Sequence, residues 1–179
     1  MTLRQKRAVR DTVLNWVKKK VKEIKPLKET LKKYKPEYNY HLVFDELWSF
    51  IKRKSNKIRI WIAKCIETKQ ILAYHIGGGK EKDCIDFFKK IPIEYSFCHS
   101  FSDKNSVYES VFGNTFHRCV EKKTGITNSI EAFNNLLRQN LSRLIRKSCT
   151  LTKIKRNVRK SKAIFISDYN LRILNEIKE

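Results

Sequence analysis

The chain has 179 residues, with 40 Lys and Arg against 18 Asp and Glu and a formal net charge of +22. Hydrophobic residues make up 41% and aromatic ones 11%, which excludes a disordered polycation and leaves enough apolar side chain for one good core. The charge points to a polyanionic partner, since each Lys or Arg on a phosphate releases counterions; a ribosome-like structural protein or a basic proteome would share the balance.

Residues 1–36 carry thirteen Lys and Arg against Asp11, Glu23 and Glu29. Val13, Leu14, Trp16, Val17, Val21 and Ile24 recur at helical spacing, which predicts a basic amphipathic helix broken at Pro26 and a second helical stretch closed by Pro36. Such an arm either touches DNA or is a solvated helix packed on its neighbour through Trp16. From Tyr40 the texture changes. Leu42, Val43 and Phe44 lead into Asp45, and the strand continues through Ile51. A turn is expected at Asn56, then a strand around Ile58–Ala63, a turn at Thr68–Gln70 and a strand Ile71–Ile76, together an antiparallel meander. Gly77-Gly78-Gly79-Lys80 lacks phosphate-loop spacing and reads as a turn into a helix, Glu81–Lys90, stopped before Pro92. A fourth strand, Tyr95–Phe101, delivers Asp103. A short helix to Phe112, a fifth strand Thr115–Val120 and a long helix Ser129–Lys147 complete the order. From Ala132 to Ser167 there are ten Lys and Arg and no acid, giving a basic tail.

The five cysteines (Cys65, Cys84, Cys98, Cys119 and Cys149) show no paired spacing, so free thiols are expected rather than disulfides or structural zinc. No apolar run approaches a membrane span and no signal peptide is recognisable, which sets the expectation of a cytoplasmic protein.

Three acids stand out on this basic background: Asp45 inside a strand, Asp103 at a strand end and Glu131 near the start of a helix. Phosphodiester chemistry uses metal ions about 4 Å apart, and hard Mg²⁺ prefers carboxylate oxygens. On the last helix Ile130, Phe133, Leu137, Leu141 and Leu144 form an apolar stripe, with Glu131, Asn134, Arg138 and Ser142 on the adjoining face. Arg138, two turns beyond Glu131, is well placed for a phosphate. Singly, each acid has an ordinary reading too: Asp103 as an N-cap, Glu131 as a first-turn acid, Asp45-Glu46 as part of an exposed strand.

The order of three antiparallel strands, helix, strand, helix, strand, helix is that of the ribonuclease-H-like, α/β fold, a mixed five-stranded sheet with flanking helices. The segments FDELWSF, SDKNSVYES and TNSIEAFNNLLRQNLSRLIRKS resemble those of the insertion-sequence-1 family of bacterial DDE transposases, a likeness running over about 40–152. The resemblance implies Asp45, Asp103 and Glu131 as a catalytic and metal-binding triad holding Mg²⁺, for which Mn²⁺ would substitute. It implies a transposase that exposes 3′-hydroxyls at element ends and joins them to target DNA. Asn134, Arg138, Arg143, Arg146 and Lys147 would then lie on the bound DNA. Ala132 stands where the family has Arg, and Lys104-Asn105 where it has Gly and an aromatic. TVLNWVKKK is similar to the tail of the family's helix-turn-helix, so residues 1–39 are expected to be a basic arm and 40–179 the catalytic domain. The chain looks like the downstream of two reading frames. Its expected partners are double-stranded DNA (terminal repeats and target), further copies of itself in a homo-oligomer and the upstream-frame DNA-binding product, on a bacterial nucleoid. Two other readings share the sequence features: a degenerate fragment that binds DNA without turnover, and a related metal-dependent nuclease.

Overall fold

Strict alternation of side chains builds the centre of the molecule. In the computed structural model, which describes residues 3–33, 35, 39–51, 53–103, 106–112, 116–121, 124–141 and 155–176, strand β1 (His41–Ile51) pairs antiparallel with β2 (Arg53–Cys65), and β2 with β3 (Ile71–Gly77). Successive side chains on a strand point to opposite faces. Leu42 and Phe44 therefore join Trp61 and Ala63 in one apolar layer, while Val43 and Leu47 join Ile58, Ile60 and Ile62 in the other. Both faces are apolar because helices cover both.

Strands β4 (His99–Asp103) and β5 (His117–Val120) add in parallel on the other side of β1, giving the order β3-β2-β1-β4-β5. Parallel neighbours require crossovers. Helices α2 (Glu81–Phe88) and α3 (Ser106–Phe112) contribute Phe87 and Tyr108 to the Phe44/Trp61 layer. Helices α4 (Asn128–Asn140) and α5 (Lys155–Glu176) pack on the Val43/Ile62 layer through Ile130, Phe133, Leu137 and Ile166. The protein is thus α/β, with a mixed five-stranded sheet and flanking helices, as expected.

Several boundaries differ from expectation. Asn56 lies within β2 rather than at a turn, and Ile51 pairs with Arg53; Ser55, Asn56 and Lys57 are polar because this end of the hairpin projects into solvent. Strand β4 starts at His99, since Pro92 leads into a 3-10 turn at Ile93–Tyr95. Helix α4 ends at Asn140, and the expected DNA contacts Arg143, Arg146 and Lys147 lie outside the described residues. A Cβ at Gly77 would meet the Asp83 carboxyl group of α2, which would have to move aside.

The largest departure is α5, expected as a basic tail. Its inner stripe is Lys162, Ile166, Asn170 and Ile173, spaced at helical intervals and all buried. Two of those four positions are polar, so the hydrophobic period that marks a helix in sequence is erased. Asn170 substitutes for a sixth strand at the β3 edge: its Oδ1 accepts the Ile71 N–H at 2.8 Å and its Nδ2 donates to the Ile71 carbonyl at 2.8 Å. Toward the N-terminus, α1 (Leu3–Glu23) meets α5, and Trp16 stands 70% exposed rather than packed. A 3-10 turn at Leu27–Thr30 is tied to the β2–β3 turn by Gln70, which donates to the Thr30 carbonyl at 3.0 Å and accepts the Lys32 N–H at 2.7 Å. Among the described residues no helix is long and apolar enough to cross a membrane.

Candidate active site

Asp45 shares its face of β1 with Val43 and Leu47, so its carboxyl points toward α4. There the Asn134 amide donates to Oδ2 at 2.6 Å, and the Glu46 N–H donates to Oδ1 at 2.7 Å. Burial drives the Asp45 pKa from 3.8 up to about 6; the negative charges of Glu46 and Asp103 push the same way, against the two hydrogen bonds. Each carboxyl oxygen has two lone pairs, so one on each remains after these bonds.

Asp103 reaches the same place by a different route. Strands β1 and β4 run parallel with Phe44 opposite Ser102, so Asp45 and Asp103 each follow one residue later on neighbouring strands. Adjacent strands lie about 5 Å apart and paired side chains share a face, which is why the Asp103 charge is felt at Asp45. The β4–β5 pairing beneath Asp103 is held by His117. Its Nδ1 lies 2.9 Å from Ser100 Oγ and its Nε2 3.0 Å from Ser102 Oγ. Burial lowers the His117 pKa to about 4, so the ring is neutral at physiological pH. Phe44 stacks on it at 5.6 Å between centroids.

Helix α4 sets the third side. Gly125 at φ +74 turns the chain into it, a left-handed conformation that glycine adopts without strain. Lys64, which the sequence reading did not single out, crosses from β2 and donates to the Ser129 carbonyl at 2.8 Å. Burial, with Lys69 nearby, lowers its pKa to about 8. Asn134 is 2% exposed, with its amide turned to Asp45. Glu131 sits one turn earlier on α4, exposed, with its Oε1 3.4 Å from the Thr127 hydroxyl. Arg138, one turn past Asn134, is half-buried and donates to Asn135 Oδ1 at 3.4 Å. Asp45, Asp103 and Asn134 thus converge, and Glu131 is exposed one turn from Asn134 on α4. Among the described residues no three His, Cys, Asp or Glu side chains gather closely enough to hold an ion. Neither Lys64 nor the Asn134–Asp45 bond carries a local motif; only the layering of α4 on β1 and β2 reveals them.

A family model for the IS1 transposase matches residues 41–170, from the first residue of β1 to the Asn170 that caps β3. The chain belongs to the IS1 transposase family. No curated protein matches it. Membership makes the protein a transposase and DNA its partner, and the matched span includes all five strands, α4 and most of α5.

Proposed function

We propose that this transposase cleaves and joins the ends of an insertion sequence by metal-dependent phosphoryl transfer, on a sheet of ribonuclease-H-like type. Asp45, Asp103 and Glu131 are its catalytic carboxylates. The observation that carries this reading is the Asp45–Asp103 pair: two acids side by side on parallel strands, one of them buried enough to hold its proton to about pH 6. Their hard oxygen donors suit Mg²⁺, with Mn²⁺ a close substitute. A divalent ion there would supply the charge relief that a phosphodiester under attack requires. Asn134 holds the Asp45 carboxyl in one orientation. Glu131, one helical turn from Asn134, is the nearest further acid on α4. Arg138, with Arg143, Arg146 and Lys147 further along the sequence, would contact the DNA backbone. The working complex on this reading is a homo-oligomer on double-stranded DNA, joined by an upstream-frame module that finds the terminal repeat.

A second reading is a fragment that holds DNA without turnover, and the exposed position of Glu131 on α4 favours it. One assay separates the two: strand transfer of a pre-cut duplex bearing the terminal repeat, in Mg²⁺ or Mn²⁺, with Asp103→Asn as blank and with or without the upstream-frame segment. Joined products that vanish in the variant support the enzyme. Salt-sensitive DNA binding without products under every condition supports the fragment.

A further inference from the structure

A second concave site lies two strands from the carboxylates. At the β3 edge, between the end of α2 and the first turns of α5, is a cleft of about 650 Å³. Its apolar lining wraps the β3 edge, with Leu72 and Ile91 on the face covered by α2 and Tyr74 and Ile76 on the face covered by α5. Its rim is cationic: Lys89 and Lys90 come from the end of α2 and Arg159 from α5, all three exposed. Asp45 pairs with Ile62 and Ile62 with Tyr74, which puts Tyr74 roughly 10 Å across the sheet from Asp45. Ile62, between them, is fully buried, so the two sites are separate.

The rim cations are drawn together rather than spread. Lys90 Nζ lies 3.0 Å from His75 Nδ1, and Arg159 is near enough for its charge to act on Lys90 together with burial, opposed by Asp86. Of the nearby acids, Glu94 pairs with Lys28 at 3.2 Å and Asp83 with His75 Nε2 at 3.5 Å, while Asp86 acts on Lys90. Among the described residues, Lys89 and Arg159 form no ion pair. Like charges from two elements, converging over an apolar lining, fit a ligand that is both anionic and apolar. A duplex backbone offers phosphates alone and would leave the lining unused. An unpaired nucleotide offers both, and cationic grooves that accept bases on apolar or aromatic side chains are the general solution for single strands.

We propose that this cleft holds an unpaired nucleotide of a DNA strand, its base against Tyr74 and Ile76 and its flanking phosphates on Lys89, Lys90 and Arg159. The proposal takes DNA as partner from the transposase reading but does not require turnover. The test is fluorescence anisotropy with a generic duplex, blunt or carrying a short single-stranded tail. It is run on the full chain and on the double variant Lys89→Gln/Arg159→Gln, each also in an Asp45→Asn background, with thermal melting as the folding control. The expected result is tighter binding of the tailed duplex by wild type. In the double variant that preference drops by roughly tenfold or more, and the salt slope on the tailed duplex falls by about 1–2. Equal affinity for blunt and tailed DNA would overturn the proposal. So would a variant that weakens both equally, which marks a plain duplex surface. Tail preference that survives in Asp45→Asn while strand transfer is lost keeps this site distinct from the catalytic one. Strand transfer intact without any tail preference would sink the cleft alone.

Discussion

Replacing Asp45 by Asn should stabilise the protein at neutral pH while ending strand transfer. The carboxyl titrates near 6 in the fold against 3.8 ordinarily, and at about 1.4 kcal/mol per unit the ionised form costs roughly 3 kcal/mol. Asn removes that charge, but one half of its side chain must set an NH₂ against a donor, either the Asn134 amide or the Glu46 N–H. Losing one such bond costs about 1–1.5 kcal/mol. The net gain is then about 1–2 kcal/mol, or roughly 2–8 °C in Tm for a chain of this size. The sign follows from linkage. Between pH 3.8 and about 6 the folded protein binds the extra proton, so wild-type stability falls as pH rises through that window. The Asn variant should therefore gain most above pH 6 and nothing near pH 4. Urea denaturation at pH 7.5, 6, 5 and 4 measures this, and millimolar Mg²⁺ should raise the wild-type midpoint and leave the variant unmoved. A variant less stable than wild type at pH 7.5, or a gain flat across pH, would mean that the buried Asp45 charge is not destabilising.

Asn134→Ala removes a bond that lowers the Asp45 pKa, so the acid limb of the strand-transfer pH profile should move upward; an unmoved limb would show that the amide does not tune Asp45. Lys162 is buried with no hydrogen-bond partner for its Nζ among the described residues, and burial holds its pKa well below the usual lysine value. Lys162→Met should add about 1–3 kcal/mol at pH 7. That gain should shrink toward pH 10.5, because the unfolded lysine alone binds the proton across that range, and chemical denaturation at pH 7 and 10 checks both. Asn170→Ala strips both Ile71 backbone partners and should cost about 2–4 kcal/mol, with faster hydrogen exchange at Ile71; unchanged exchange there would show that the edge is protected by something else.

Features that depend on near neighbours in the chain are legible from the residues alone. The period-two runs at Leu42–Leu47 and Ile58–Ala63 define strands because one residue's side chain dictates the next one's face, and the Ile130/Phe133/Leu137 stripe defines α4 in the same way. The charge of +22 names a polyanion, and the FDELWSF and TNSIEAFNN blocks carry the family. Tertiary structure decided what depends on which strands become neighbours. Insertion of β1 between β2 and β4 sets Asp103 beside Asp45, and the packing of α4 across that sheet turns Asn134 inward to Asp45 while leaving Glu131 exposed. Helix α5 was hidden for the same reason. Asn170 looks like a surface residue until a sheet edge with unpaired backbone groups lies against it, and hydrogen bonding across so long a sequence separation has no local pattern to announce it.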